Sequence, residues 1–421
     1  MGAARHFAPM PQTHKSAGGG ANDPMLRWLL GLYVVSAIVV AVQRMQPPPE
    51  YNFVIFRAAF HHLVAGQNLY AAYPAEYADY FKYSPTFALL FAPFSLLPAI
   101  PAYMLWAVCC ALAVFIGVTR LLPARQAALA LALCWLAVVG DMQRAQTNAL
   151  SAGLMILGWV WMERDRQTSA AVAVVLGGFI KLFPVTALAG AVFHRRKARF
   201  AAIVAMVALA GFALPLVAVP WSSLSAQYHW WAEKLRSDSV PLARYGIGGA
   251  GLYAGLMGQF RVWFGVQWPF WPTQLAGTAI LLAPLLRGPS AWTDRFRLNF
   301  LASILVFCVL FNHQAESPSY SIAMIGAAVW YAASDRGRWR LALIVACLVI
   351  VNLASSAVMP HFLYDGYYVK YLLKTTPLIP LWITMQCELF GAFGAGAGAG
   401  GARSERAEVD ERDAAALEAG G

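Results

Sequence analysis

Side chains able to do chemistry crowd into one early stretch of the chain. Glu50-Tyr-Asn52-Phe-Val-Ile-Phe-Arg57 is followed by His61-His62, by Gly66-Gln-Asn-Leu-Tyr70, and by Glu76-Tyr-Ala-Asp79-Tyr-Phe-Lys82-Tyr83-Ser-Pro85. Carboxylates, imidazoles, basic groups and a run of tyrosines and phenylalanines together suit a sugar, held by ring stacking and hydrogen bonds, with a carboxylate or histidine as general base. A solvated loop with an interfacial aromatic belt accounts for many of the rings, but less well for two histidines inside a helical apolar pattern. Later polar groups repeat the chemistry in smaller doses: Asp141, Arg144, Gln146 and Asn148; His229 to Asp238; and Asn312-His313-Gln-Ala-Glu316. His313 and Glu316 have the spacing of a metal pair, yet one pair is a weak signal. The reading is that no metal and no cofactor is needed.

The elements that position these groups follow from composition. Of 421 residues, 60% are hydrophobic and 12% charged, with a mean hydropathy of +0.56. A soluble chain carries about 25% charged residues, so the bilayer is the natural solvent. At ~20 residues per crossing the apolar content allows roughly a dozen helices. The expected fold is all-α and polytopic, with about 12 transmembrane helices, a long first outer loop and interfacial helices. The formal charge of +11 does not indicate nucleic acid, because the basic residues sit in short runs between apolar stretches. The six cysteines lie inside those stretches without metal-ligand spacing and read as packing residues.

Charge-free stretches cover about 99–119, 126–140, 147–162, 200–219, 266–286, 298–312, 318–333, 341–358 and 375–395, the last broken by Glu388, after a first apolar run at Trp28–Val42. Two segments decide the topology. Ser84–Leu97, with two prolines, reads as interfacial, and 169–193 reads as a hairpin of two short helices turning at Ile180–Pro184. This arrangement puts 120–125, 163–168, 194–199, 287–297 and 334–340 on the cytoplasmic side with both termini, as the positive-inside rule prefers, and holds 20 of the 31 Lys and Arg residues there. Arms of about 12 residues cover only ~18 Å, so their turn needs a water-filled cavity or protein around it. Lys181 at that turn is a functional candidate. The alternative is one tilted helix whose Lys181 snorkels or pairs with Glu388. The expected divisions are a disordered cytoplasmic N-terminus at 1–27, an integral membrane domain at 28–395, and a disordered charged tail at 396–421.

The order of Phe53 and Phe56, Gly66-Gln-Asn-Leu-Tyr70, Tyr83-Ser-Pro85, Gln146-Thr-Asn148 and Ile180-Lys181-Leu-Phe-Pro184 resembles glycosyltransferase family 87, of the polytopic GT-C superfamily, over roughly 28–395. The resemblance implies transfer of a hexose, mannose first, from a polyprenyl-phosphate sugar to a lipid or glycan acceptor on the outer face of the cell membrane. It implies a carboxylate base and basic residues on the departing phosphate. Family members commonly carry an aspartate in a pattern like Asp-Phe-x-x-Tyr after the first helix, and here Asn52 occupies that place. Asparagine is no general base. The catalytic candidates are therefore Asp79, Glu316 and Glu50, with Asp79 first for its place among tyrosines beside Lys82. The substrate-binding candidates are Asn52, Arg57, His61, Lys82, Tyr83, Arg144, Gln146, Asn148, Lys181 and His313, with Lys181 and Arg144 for the donor phosphate. The alternatives are a lipid-linked sugar transporter or flippase and a non-catalytic envelope-assembly protein. A transporter repeat has no clear match, since Gly246–Gly258 offers no charge against the Gly/Lys/Pro break at 177–184.

Overall fold

The computed structural model describes residues 23–47, 49–238, 255–266, 269–354 and 358–392. Most of the expected N-terminal and C-terminal tails and much of Gly246–Gly258 lie outside these residues. Every regular element among them is helical, as the sequence predicts. The α-helices, in chain order, are α1 (Pro24–Arg44), α2 (Tyr51–Val64), α3 (Pro85–Leu90), α4 (Ala92–Leu96), α5 (Ala99–Leu121), α6 (Ala124–Gln143), α7 (Asn148–Glu163), α8 (Gln167–Ile180), α9 (Lys197–Ala213), α10 (Trp221–Asp238), α11 (Leu256–Phe264), α12 (Phe270–Leu282), α13 (Asp294–Leu310), α14 (Tyr320–Ala333), α15 (Arg338–Cys347), α16 (His361–Leu363) and α17 (Leu378–Leu389), with a 3-10 segment Phe183–Phe193 after α8 and shorter 3-10 and π segments elsewhere. Helix α1 starts ahead of the expected Trp28, because Asp23 caps it by accepting from the Met25 N–H at 2.9 Å and Pro24 occupies the first turn.

Four described helices are long and apolar enough to cross a bilayer: Pro24–Arg44, Ala99–Leu121, Ala124–Gln143 and Lys197–Val217. The others are shorter or less apolar, so helix length alone does not give twelve crossings. Ser84–Leu97 folds as the two short helices α3 and α4, with Ser84 capping α3. At ~1.5 Å per residue neither can span.

The segment 169–193 is a hairpin. Helix α8 descends along α7, with Gly158 against Val174 and Leu154 near Gly177. The chain breaks at Lys181, and the 3-10 segment runs back along α7, bringing Gly190 against Trp159 and His194 to the Met162 carbonyl. Asp165 then faces His194 at 3.9 Å and Arg196 at 3.8 Å, so the loops on either side of the hairpin share a face. Other contacts gather the remaining basic loops there: Arg164 donates to the Arg120 carbonyl at 3.0 Å, Arg297 pairs with Glu163 at 3.0 Å, and Arg287 reaches the Leu389 carbonyl at 2.6 Å. Glu388 is committed on this face too. It pairs with Arg340 at 2.7 Å and accepts from Asn299 and Trp330 at 3.1 and 3.0 Å, which removes it as a partner for Lys181.

The opposite face carries the first loop. Phe53 and Phe56 of α2 are fully buried against Phe91, Tyr103, Phe87 and Trp106, with ring centroids 4.7 to 6.3 Å apart. Such aromatic pairs add about 0.5–1.5 kcal/mol each beyond their burial. They dock α2 on α5. After α2 the chain turns at Gly66, whose φ of +70° suits glycine, and the loop folds back so that Tyr73 stacks on His62.

Candidate active site

The α6–α7 turn lies at the base of the site. Asp141 is in the last turn of α6 and is 1% exposed. Its Oδ1 accepts from Asn148 Nδ2 at 2.8 Å and from the Ser321 hydroxyl at 3.3 Å, and its Oδ2 accepts from the Ala149 N–H at 2.9 Å. The turn is tight: Ala145 adopts φ +47° and its N–H reaches the Met142 carbonyl. A non-glycine residue in the left-handed region carries about 1–2 kcal/mol of strain, and such strain collects where a side chain must be aimed. Here it aims Gln146 and Asn148.

Both amides meet the tip of the hairpin. Lys181 Nζ donates to Asn148 Oδ1 at 2.8 Å and to Gln146 Oε1 at 3.3 Å, and lies 5.9 Å from the centre of the Tyr83 ring. Ser84 donates to the Phe179 carbonyl at 2.6 Å, tying Tyr83 to the hairpin. Tyr83, Gln146, Asn148 and Lys181, scattered in sequence, thus form one cluster. It is recessed. Cys110 lies level with Gln146, and α5 continues from Cys110 to Ala99, ~16 Å further at the helical rise.

Charges surround this recess. Tyr51, at the start of α2, feels Glu50, Glu316, Asp79 and Arg144; the residue is exposed overall, and its hydroxyl is held above the ordinary tyrosine range by partial desolvation first and by those carboxylates second. Glu316 also lies within electrostatic reach of Lys181 and Tyr83. It makes no side-chain hydrogen bond among the described residues. Asp79, by contrast, pairs with Lys82 at 3.3 Å and accepts from the Tyr80 N–H at 2.7 Å. Burial raises the Glu50 carboxyl, against the lowering influence of Arg44 and Arg144. Asn52 donates to the Arg144 carbonyl at 2.9 Å and to Glu50 at 3.4 Å, so it fastens α2 over the turn.

Three expected site residues lie elsewhere. Arg57 donates to the Ser95 and Leu97 carbonyls at 3.1 and 2.8 Å and so closes the end of α4. His61 is exposed on α2 against Phe60. His313 stacks on Phe270 and faces Gln274 at 3.3 Å, and burial holds its imidazole below the usual range. No group of three or more metal-binding side chains occurs among the described residues. His62 explains the histidine pair: its Nε2 meets Glu76 at 3.1 Å, which closes the first loop.

One site group has no strong sequence signal. Lys374 donates to the Ser317 hydroxyl and carbonyl at 2.6 and 3.3 Å and sits 5.1 Å from the Tyr320 ring centre. Its recessed position pushes its amine down to about 8, with nearby Arg144 contributing. Asp141 does have a signal, a carboxylate closing an apolar helix seven residues before Asn148, but nothing in the sequence separates an anchor from a catalyst.

The sequence profile of glycosyltransferase family 87 matches residues 81–312. The chain belongs to glycosyltransferase family 87. That stretch contains Tyr83, the α6–α7 turn and Lys181, whereas Asn52 precedes it and Glu316 and Lys374 follow it. Membership makes this a membrane-embedded glycosyltransferase and sets aside the transporter and assembly-protein readings. Among solved structures, ArnT from Cupriavidus metallidurans bound to undecaprenyl phosphate is 14% identical, over 87% of this chain and 76% of that one, with a TM-score of 0.41. No curated protein matches the sequence.

Proposed function

We propose that this family 87 enzyme transfers a hexose, mannose first, from a polyprenyl-phosphate sugar to a lipid or glycan acceptor at the outer face of the cell membrane. The observation that carries the reading is the meeting of the Gln146–Asn148–Lys181 cluster with Glu50, Asp79, Glu316 and Arg144 around Tyr51. A lipid phosphate enters sideways from the bilayer and needs cations in a recess. Lys181 and Arg144 supply them, with Lys374 alongside.

In the proposed step the acceptor hydroxyl gives its proton to a carboxylate as its oxygen bonds to the anomeric carbon. The bond from that carbon to the phosphate oxygen breaks, and polyprenyl phosphate leaves with its charge held by Lys181 and Arg144. Glu316 is the base this geometry favours, since it faces Lys181 without a fixed partner, and Asp79 is second. Asn52 holds the Arg144 carbonyl, and Glu50 lies within electrostatic reach of Arg144. Tyr51 offers a face for the sugar, whereas Lys234 sits 4.7 Å from the centre of the Tyr80 ring and Phe53, Phe56, Tyr70 and Tyr77 are buried.

The test is release of polyprenyl phosphate by purified protein given a polyprenyl-phosphate mannose and a membrane-lipid acceptor. Glu316→Gln lowers kcat by about 10²- to 10⁴-fold, the range for loss of a general base, and Asp79→Asn by less. Unchanged turnover in Glu316→Gln, Asp79→Asn and the double variant would overturn the base assignment. Failure with every lipid-phosphate hexose would overturn the donor class.

A further inference from the structure

On the face away from this site, Arg166, Arg196 and Arg199 line a cavity of about 290 Å³ together with Asp165, Gln167, Thr168 and Ser169. Two helices begin there side by side. Neither α8 nor α9 has a side-chain cap, so the first-turn N–H groups of both are left without side-chain acceptors, and both dipoles put their positive ends at the cavity. A phosphate suits such a place. Gln167 points to what else the occupant carries. It is 6% exposed, its Nε2 donates to Asp165 at 3.1 Å, and its Oε1 has no partner. A buried, unpaired acceptor is unfavourable by about 1–3 kcal/mol, and a ligand hydroxyl would satisfy it. Asp165 itself is occupied with Gln167, His194 and Arg196.

The occupant's source follows from the surface beside the cavity. Helices α8 and α9 run parallel, with Phe179 packed against Gly211 and Phe212 at their far ends. Of α9 only Phe200 is buried, while Met206 and Leu209, and Val172 on α8, are exposed apolar side chains further along. Acyl chains cover such a surface, and inorganic phosphate does not. We propose that the cavity holds the phosphate and hydroxyl headgroup of an anionic glycerophospholipid from the surrounding bilayer, with the arginines and helix ends on the phosphate and Gln167 Oε1 on a headgroup hydroxyl.

The full chain in detergent, titrated with phosphatidylglycerol or phosphatidylcholine and read by native mass spectrometry, tests this. Phosphatidylglycerol binds at least about tenfold more tightly than phosphatidylcholine. Arg166→Gln with Arg199→Gln weakens it by about fivefold per arginine, and millimolar inorganic phosphate leaves it bound. Both arginines are exposed. Where the double variant does not elute as a monodisperse species, Arg199→Gln alone gives the same readout. Equal binding of the two lipids, unchanged affinity in a folded variant, or displacement by inorganic phosphate would each overturn the assignment. Because binding is read without turnover, failure here is separate from failure of the transfer reaction.

Discussion

Asp141 shows how one buried carboxylate positions the groups of the candidate site. It offers no face to solvent, but its bonds to Asn148, Ala149 and Ser321 orient the amide that Lys181 uses. Hydrogen bonds to a charged group contribute about 1.5–3 kcal/mol, so Asp141→Asn is expected to lower kcat/KM by roughly 10- to 100-fold, measured as polyprenyl phosphate release. In the proposed reaction Lys374 is expected to set the pH dependence. Its amine, pushed down to about 8, is charged below that pH and loses its charge as pH rises through it. Attraction for an anionic donor is therefore present below about pH 8 and fades above. For free enzyme and donor, kcat/KM falls with a unit slope beyond that point, and Lys374→Arg, which stays protonated, keeps the profile flat. A profile unchanged in Lys374→Arg would remove Lys374 from the donor site. Asn52 attracts notice in the sequence only through the expected family pattern, and nothing in the sequence shows it bonded across to the Arg144 carbonyl 92 positions away.

The hairpin is the element on which the site depends. Gly177 is its key position, because a Cβ there would lie 2.5 Å from the Pro184 Cβ on the returning arm. Overpacking of this kind destabilises by about 1–3 kcal/mol. Gly177→Ala should spread the arms, draw Lys181 from Asn148 and raise the donor KM, with a lowered thermal midpoint in detergent. Unchanged KM and midpoint would show that the arms do not set the position of Lys181. The break was legible in the sequence, since Gly177-Gly178 and Pro184 cannot continue an apolar helix as alanine would. The form of the returning arm was not: a 3-10 segment advances ~2.0 Å per residue against 1.5, and helical periodicity does not announce that change.

Across the whole molecule, charge sorts by face. The loops bearing Arg120, Arg164, Arg196 and Arg297 contact one another, while Lys82, Arg144 and Lys374 lie with the site at the other end of the helices. With the native cysteines removed, single cysteines at 82, 144 and 234 should react with an impermeant reagent from outside intact cells, and one at 196 only after permeabilisation. Labelling at 196 alone would invert the orientation.

The sequence alone determined the solvent, the helical class, the sorting of basic loops and the break at Lys181, because hydropathy, charge runs and Gly/Pro positions act locally along the chain. Tertiary structure alone decided which polar groups meet. It committed Glu388 to Arg340, Arg57 to a helix end and His62 to a loop closure, and it brought Glu316 within electrostatic reach of Lys181 and Lys374 within reach of Arg144. A side chain's partner depends on which helices pack together, and that is a property of the assembled bundle rather than of spacing in sequence.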